Sequence, residues 1–186
     1  MDDQQIIRLF WARAEDAIAE TAKRYGRYCH AIAYNILRSQ EDSEECVNDA
    51  WLRAWESIPP HRPERLDAFL GKITRNLALN RWEKAAAGKR GGGQVEVALE
   101  ELQDCLPTAE NIEQTVDSMA LTAALNRFLA SLPSETRRIF MQRYWYLRSI
   151  KAIAAELGAN ESKVKMTLLR ARGKLKQILE EEGINL

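Results

Sequence analysis

Basic side chains between Glu161 and Lys176 have the spacing of a helix that could bind nucleic acid. This segment contains six basic residues and one acid. Its apolar residues recur at intervals of three and four and would form one buried side of the helix. They are Val164, Leu168, Ala171 and Leu175. At about 100° per residue, the opposite side would carry Ser162, Lys163, Met166, Leu169 and Arg170. A cationic outward side is suited to holding phosphates.

The residues before this segment predict another helix and a tight turn. Ser149 can cap a helix that ends at Gly158, because glycine commonly takes the left-handed conformation at a helix end. Asn160 is then a suitable N-cap for the next helix. A helix, a three-residue turn and a helix form the helix-turn-helix motif, whose second helix enters the major groove of DNA. A basic solvated face on a helical hairpin is the alternative interpretation.

A second cationic surface is predicted on a helix that begins at Leu66. Its core side would consist of Leu66, Phe69, Leu70, Ile73 and Leu77. Lys72 and Arg75 point away from that side, and Trp82 falls about 180° from Ile73. A tryptophan beside cations is suited to single-stranded nucleic acid, because bases stack on the ring while cations follow the backbone. Packing of Trp82 against another helix of the same domain is an equally good interpretation.

The preceding helix, which stops at Pro59 and Pro60, has an unusually wide apolar set. The set consists of Cys46, Val47, Ala50, Trp51, Leu52, Ala54, Trp55 and Ile58. It covers more of the helix than one packing contact needs, so part of it is predicted to bind a partner. A helix in the middle of a small bundle shows the same breadth, and that alternative stays open.

Charge is arranged in four blocks, although the formal net charge of the 186 residues is zero. Residues 1–60 hold 7 basic and 11 acidic side chains, and residues 61–95 hold 8 and 3. Residues 96–120 hold no Lys or Arg and 7 acids, and residues 121–186 hold 12 basic and 6 acidic side chains. Both predicted nucleic-acid surfaces lie in positive blocks, so the neutral total does not exclude nucleic acid as a partner.

Several other classes of protein are disfavoured. Apolar runs are shorter than the roughly 18 residues of a membrane span, and the first residues lack a cationic segment before an apolar one, so we expect a cytoplasmic protein without membrane insertion. Cys29, Cys46 and Cys105 are odd in number and lack a CxxC pattern, which favours reduced thiols over disulfides or a metal site. His30 and His61 share no spacing with cysteines or carboxylates, and no phosphate loop or nucleophile motif is present. We therefore expect no enzyme activity, no catalytic residues, no metal and no cofactor.

The periodicity is helical nearly throughout and predicts an all-α fold. Two small helical domains would be joined by a flexible linker, and the C-terminal domain would contain the helix-turn-helix. The predicted bounds are residues 1–84 for the first domain, 85–117 for a glycine-rich and then acidic linker, and 118–186 for the second domain. The run AAAGKRGGGQ marks the start of the linker, because consecutive glycines are unfavourable within a helix.

Four segments in this order resemble a known family. DSEECVNDAWLRAW, FLGKITRNLALNRW, LNRFLASLPSETRRIF and IAAELGANESKVKMTLLRARGKL are similar to successive regions of bacterial RNA polymerase sigma factors of the extracytoplasmic-function (ECF) group. The resemblance covers nearly the whole chain apart from the linker. It implies a promoter-specificity subunit whose N-terminal domain docks on polymerase and opens the minus-ten element, while the C-terminal domain reads the minus-thirty-five element.

The resemblance also assigns residues to three sites. Core polymerase would be bound by Glu45, Asn48, Asp49, Leu52 and Trp55. The minus-ten element would be bound and opened by Lys72, Arg75, Asn76, Asn80, Arg81 and Trp82. The minus-thirty-five element would be bound by Ser162, Lys163, Lys165, Met166, Thr167, Arg170 and Lys174.

The chain departs from the family pattern at several of these positions. Asn48 and Asp49 stand where a Gln-Glu pair is usual, and Asn80 stands where an Asp is common. Met166 and Thr167 occupy positions where Ser and Arg are usual, which predicts an unusual minus-thirty-five preference.

The implied partners are core RNA polymerase and promoter DNA, both double-stranded and melted, and the resemblance suggests a cognate anti-sigma factor. The acidic linker would thread through polymerase toward the RNA exit path. A stand-alone helix-turn-helix transcriptional regulator is the alternative function, although it accounts only for the C-terminal half.

Overall fold

A computed structural model describes residues 1–86, 93–103, 105–106 and 118–184. Within these residues the chain forms nine α-helices and no strand, which confirms the all-α prediction. The chain divides into two compact units, Met1–Gly91 and Gly92–Leu186. Most of the predicted glycine-rich segment, residues 87–92, lies outside the described residues.

The N-terminal unit contains four of the helices. They are α1 (Asp3–Trp11), α2 (Asp16–Leu37), α3 (Gln40–Ser57) and α4 (Leu66–Ala86). α1 begins where Asp2 and Gln5 cap each other, with the Gln5 backbone N–H donating to the Asp2 carboxylate at 2.8 Å. α3 begins after Ser39, whose hydroxyl accepts a hydrogen bond from the backbone N–H of Asp42 at 3.2 Å.

The core of this unit lies among α2, α3 and α4, which pack against one another, and α1 packs against α2. Its largest fully buried side chains are Ile6, Ile7, Phe10, Ile32, Ile36, Ile58, Leu66 and Leu70. α2 and α4 approach closely at Gly71, where an added Cβ would lie 2.5 Å from the hydroxyl oxygen of Tyr28. An added side chain at this crossing would therefore force the Tyr28 ring to move.

The C-terminal unit contains the other five described helices. They are α5 (Gln94–Gln103), α6 (Ser118–Ser131), α7 (Ser134–Tyr144), α8 (Ile150–Leu157) and α9 (Glu161–Glu181). α9 packs against α6, α7 and α8. Its buried residues are Val164, Leu168, Ala171, Leu175 and Leu179, so the predicted inner side is confirmed and extends one turn further.

The helix-turn-helix has the predicted local structure. The Ser149 hydroxyl accepts from the backbone N–H of Ala152 at 3.1 Å and caps α8. Gly158 ends α8 with φ of 61°, a left-handed conformation that glycine adopts without steric penalty. The Asn160 side chain then accepts from the backbone N–H of Lys163 at 2.7 Å and starts α9.

The acidic segment differs from the predicted flexible linker. Its described part forms α5, which packs against α7, and Val95, Ala98 and Cys105 are buried. The C-terminal unit begins at Gly92, whereas the second domain was predicted to begin at residue 118. Residues 104 and 107–117 of the predicted linker lie outside the described residues.

Candidate nucleic-acid and polymerase-binding surfaces

The exposed side of α4 carries three of the six predicted minus-ten residues. Lys72, Asn76 and Asn80 are exposed and, at intervals of four, lie along one side of the helix. Arg75 is half-buried, and burial lowers its pKa from the usual value of an arginine. The structure thus brings one cation and two amides together on the open side.

The sequence predicted that Trp82 lies opposite the buried side of α4. The structure does not place it there. Leu70, Thr74 and Ala78 are fully buried, whereas Ile73 is half-buried. Trp82 follows Ala78 by four residues and therefore lies about 40° from Ala78 and about 80° from Thr74, the middle of this buried line. The apolar periodicity was misleading because the closely packed side of α4 uses small residues. The predicted stripe residues Phe69 and Leu77 are likewise half-buried.

Trp82 is half-buried and lines a cavity of about 410 Å³ in the N-terminal unit. The other lining residues include Leu37, Asp42, Arg81 and Lys84. The ring is therefore open on one side, beside two cations and one carboxylate. This position combines both interpretations of Trp82, since the ring borders other helices of its unit and still faces a cavity.

Arg81 bridges the predicted DNA-binding helix and the predicted polymerase-binding helix. Its guanidinium donates to Glu45 at 2.9 Å and to Asp49 at 2.5 Å, both on α3. The hydrogen bonds that the guanidinium donates to these two carboxylates raise the pKa of Arg81 above its usual value. The sequence assigned the cation to DNA and the anions to polymerase, whereas the structure brings the three side chains together.

The remaining predicted polymerase residues lie on the outer side of α3. Asn48 and Leu52 are exposed, and 54% of the Leu52 surface is open. Trp55 is half-buried beneath the Arg13 guanidinium, which lies 5.1 Å from its ring centre. The other six residues of the wide apolar set are buried, so they form core and Leu52 is the member that stays open.

The outer side of α9 carries the predicted minus-thirty-five residues. The exposed members are Ser162, Lys163, Lys165, Met166, Arg170 and Lys174. Thr167 is half-buried, and its hydroxyl donates to the backbone carbonyl of Lys163 at 2.9 Å. The structure therefore brings six of the seven predicted residues together on the open side of the second helix of the motif.

Two of these cations also contact neighbouring helices. Lys163 Nζ lies 3.0 Å from a carboxylate oxygen of Glu135, at the start of α7. Lys174 Nζ donates to the carbonyl of Ser131 at 3.3 Å. Together with Arg170, Lys174 lines a cavity of about 230 Å³ beside the α6–α7 turn. Lys163 and Glu135 are both largely exposed, so this ion pair contributes little stability and can yield to a phosphate.

A buried polar cluster behind α9 was missed by the sequence analysis. The Arg143 guanidinium is 3% exposed and donates to both carboxylate oxygens of Glu101, at 2.9 and 3.1 Å. The Tyr144 hydroxyl donates to the same carboxylate at 3.0 Å and accepts from Arg172 at 2.6 Å. Arg172, a match to the family motif, is thus held by the unit's own residues.

The charge of Glu101 is favoured by this cluster. Burial acts to raise the pKa of its carboxyl, but the hydrogen bond and charge of Arg143, with help from Tyr144, outweigh burial and lower the pKa below its usual value. The sequence signal that could have indicated α5 was the helical spacing of Val95, Ala98 and Cys105. Glu101 itself was counted only as one of seven linker acids.

A second carboxylate orders the helix-turn-helix from α8. Glu156 accepts hydrogen bonds from Arg138 at 2.5 Å and from Gln142 at 3.0 Å, and it also accepts from Arg148. These hydrogen bonds, with that of Arg148 first, lower the pKa of Glu156 to about 2. Glu156 therefore joins α7 to α8 through the turn between them.

The described residues contain neither a candidate metal centre nor a candidate membrane span. Within that part of the chain, no three His, Cys, Asp or Glu side chains are placed to hold a metal ion together. No helix there combines the length and the apolar character needed to cross a membrane.

The helix-turn-helix and its open cationic side define a DNA-binding protein, and comparison with known families identifies the class. The family model for sigma-70 region 2 matches residues 21–88. The model for sigma-70 region 4 matches residues 122–175. The two matches fall in the N-terminal and the C-terminal unit respectively.

Curated relatives agree with these matches. The chain is 29% identical to the probable RNA polymerase sigma factor RfaY of Xanthomonas campestris pv. campestris, over 80% of this chain and 37% of that protein. It is 28% identical to the ECF RNA polymerase sigma factor SigE of Mycolicibacterium smegmatis, over 88% of this chain and 62% of SigE. It is 26% identical to the ECF RNA polymerase sigma factor SigM of Mycobacterium tuberculosis, over 99% of this chain and 89% of SigM.

The chain thus spans less than two thirds of the length of the first two relatives and most of the third. It belongs to the sigma-70 family, in the ECF group of RNA polymerase sigma factors. Proteins of this class direct RNA polymerase to promoters and start transcription there.

Proposed function

We propose that this chain binds core RNA polymerase through the outer side of α3, opens the minus-ten element with α4, and reads the minus-thirty-five element with α9. The observation that carries the proposal is the open cationic side of α9, which follows a capped helix and a left-handed glycine turn. In this arrangement the N-terminal part of the second helix faces base edges, and flanking cations hold phosphates.

Opening of the minus-ten element is proposed to need binding energy and no covalent chemistry. Unpairing and unstacking a base costs a few kcal/mol. Stacking of an extruded base on an aromatic ring returns about 1–3 kcal/mol, and cations add backbone contacts. Trp82 borders an open cavity beside Arg81 and Lys84, while Lys72 lies on the exposed side of the same helix.

Transcription in vitro is the direct test. Core polymerase with this chain should produce start sites on genomic DNA that core polymerase alone does not produce. If no such sites appear, the proposed function is wrong. If the chain binds duplex DNA but does not comigrate with core polymerase in a size measurement, the stand-alone regulator is the better description.

The opening role of Trp82 can be tested separately. Trp82→Ala should lower the formation of open complexes more than the initial binding of promoter DNA, because only the melted strand offers bases for stacking. Permanganate footprinting reports opening, and a mobility shift reports binding. Trp11→Ala is a matched control, since Trp11 is exposed on α1 of the same unit. Equal loss of both steps in Trp82→Ala would contradict an opening role.

Arg170 provides the corresponding test on α9. Arg170→Ala should weaken binding of the minus-thirty-five element and reduce the salt dependence of binding, by a slope of about 1 if one phosphate contact is lost. Arg127→Ala removes an exposed cation on α6 and serves as the control. An unchanged footprint at that element in Arg170→Ala would remove Arg170 from the site.

Action on RNA polymerase implies a cytoplasmic location, and membership of the ECF group supports a cognate anti-sigma factor. Copurification of the tagged chain from its own cells, with and without core polymerase, would test for such a partner. The acidic segment that includes α5 is proposed to lie along polymerase, and replacement of Glu96 and Glu100 by Ser should then weaken binding to core polymerase. Unchanged binding and initiation would contradict that role.

A further inference from the structure

Two apolar side chains occupy the centre of the open side of α9. Met166 is 46% exposed and Leu169 is 54% exposed, although both belong to a helix whose inner side is fully buried. At about 100° per residue they lie about 60° apart, with Ser162 between them in projection. We refer to Met166 and Leu169 as the apolar strip. Single exposed apolar residues are common on protein surfaces, so the surroundings of the strip decide its meaning.

The apolar strip lies between two rows of cations. Lys165 and Lys176 project about 50–70° to one side of its centre, and Arg170, Lys163 and Lys174 project about 70–110° to the other. All five cations are exposed. The open side of α9 therefore has a positive edge, an apolar centre and a second positive edge. This charge pattern is a poor match for an ordinary apolar protein partner, which would have to meet both rows of cations.

The pattern matches the major groove of DNA. Phosphates line both walls of that groove, and base edges lie between them. The base edges are mostly hydrogen-bonding groups, and the C5-methyl of thymine is the apolar exception. Thr167 contributes little to hydrogen bonding with base edges, because its hydroxyl already donates to the Lys163 carbonyl at 2.9 Å. The side chains that reach the centre are thus suited to methyl groups.

We propose that Met166 and Leu169 contact C5-methyl groups of thymines in the duplex bound by α9, so that this element carries thymine opposite the apolar strip. The inference rests on the proposed function, in which α9 enters the major groove. It goes further by naming the chemical group that is read and the residues that read it.

Replacement of thymine by deoxyuridine tests the proposal, because it removes the methyl group and keeps the hydrogen-bonding pattern of the base. The full chain with core polymerase is first used to select the bound element from random duplexes. Each thymine of that element is then replaced in turn, and binding is measured. At one or two positions we expect deoxyuridine to weaken binding about three- to fivefold, the size expected for burying one methyl group.

Variants connect those positions to the strip. Met166→Ser should bind the thymine and deoxyuridine duplexes equally at one of these positions, and Leu169→Ser should do so at a neighbouring one. Met119→Ser makes the same chemical change at an exposed methionine on α6 and should keep the difference. Discrimination that persists in both strip variants would mean that the strip serves another purpose, such as binding a protein, and would overturn the inference.

The outcomes separate this inference from the proposed function. If the wild-type chain with polymerase selects no duplex, the proposed function fails and the inference fails with it. If the wild-type chain selects an element but binds its thymine and deoxyuridine forms equally at every position, the inference alone is wrong.

Discussion

The ion pair between Glu101 and Arg143 gives the sharpest prediction about stability. Glu101→Gln removes the negative charge that faces a guanidinium only 3% exposed. Loss of one partner of a buried pair costs about 3–5 kcal/mol. Glutamine keeps one acceptor oxygen, so we expect a loss of about 3 kcal/mol. For a domain of 60–100 residues, that loss lowers Tm by roughly 12–24 °C.

Calorimetry of the full chain measures this loss, and hydrogen exchange with mass spectrometry locates it. Exchange should accelerate in α7, α8 and α9, and it should not change in α2, α3 and α4. Glu100→Gln is the matched control, because it makes the same change of charge at an exposed neighbour. Equal Tm values for the two variants would refute the structural role of the pair.

The lowered pKa of Glu101 makes the Tm difference between wild type and Glu101→Gln depend on pH. A carboxyl whose pKa is lower in the folded state stabilises that state above its unfolded pKa, usually about 4.5. The stabilisation is lost as the pH falls through the folded pKa. The Tm difference between wild type and Glu101→Gln should therefore be full at pH 7 and shrink toward pH 3. A difference that stays constant over that range would contradict this origin.

Three further predictions concern other described residues. Burial raises the pKa of both Cys29 and Cys46 to about 11 from 9.0. At pH 7.5 a disulfide reagent should therefore label these thiols at least about 100-fold more slowly in the native chain than in denaturant, as peptide mapping would measure. Rapid labelling of the native chain would contradict their burial. Gly71→Ala should lower the urea midpoint of unfolding, because the added Cβ meets the Tyr28 hydroxyl and overpacking costs about 1–3 kcal/mol. In Gly26→Ala the added Cβ meets nothing within 4 Å, so this variant should gain about 1 kcal/mol of stability from helix propensity. Midpoint shifts of equal sign in the two variants would count against the close crossing. Glu156→Gln should lower Tm at pH 6. Because the pKa of Glu156 in the folded state is about 2, this loss of Tm should fade as the pH falls from about 4.5 toward 2. A loss of Tm that does not depend on pH would argue against a role of the ionised carboxylate.

Local signals were sufficient to predict the helix-turn-helix. Ser149, Gly158 and Asn160 each act on residues within four positions of themselves, through a capping hydrogen bond or a left-handed backbone. The periodicity of α9 was equally informative, because Val164, Leu168, Ala171 and Leu175 are buried as predicted. The motif and its open side could therefore be derived from the sequence alone.

The orientation of α4 could not be derived in this way. Its closely packed side contains Gly71, Thr74 and Ala78, which a count of large apolar residues ranks low. The close approach of α2 makes small residues the ones that fit. The sequence prediction consequently misplaced Trp82 around the helix by roughly a third of a turn.

Contacts between residues distant in sequence could not be predicted either. Glu101 and Arg143 are 42 residues apart, and Arg81 and Asp49 are 32 apart. No local pattern links such residues, so α5 was interpreted as a linker and Arg81 as a residue open to DNA. The glycine run led to the linker interpretation and the family resemblance to the assignment of Arg81, and in both cases the structure supplies an internal counter-charge.

The bridge from Arg81 to Glu45 and Asp49 makes the two proposed activities of the N-terminal unit interdependent. A polymerase surface that engages the two carboxylates weakens their hold on the guanidinium, and DNA that engages the guanidinium leaves the carboxylates without their cation. Binding free energies around a closed cycle must balance, so each event changes the affinity of the other by the same factor. Under the proposed function, the chain alone would keep this positive charge neutralised, and attachment to polymerase would make it available to promoter DNA.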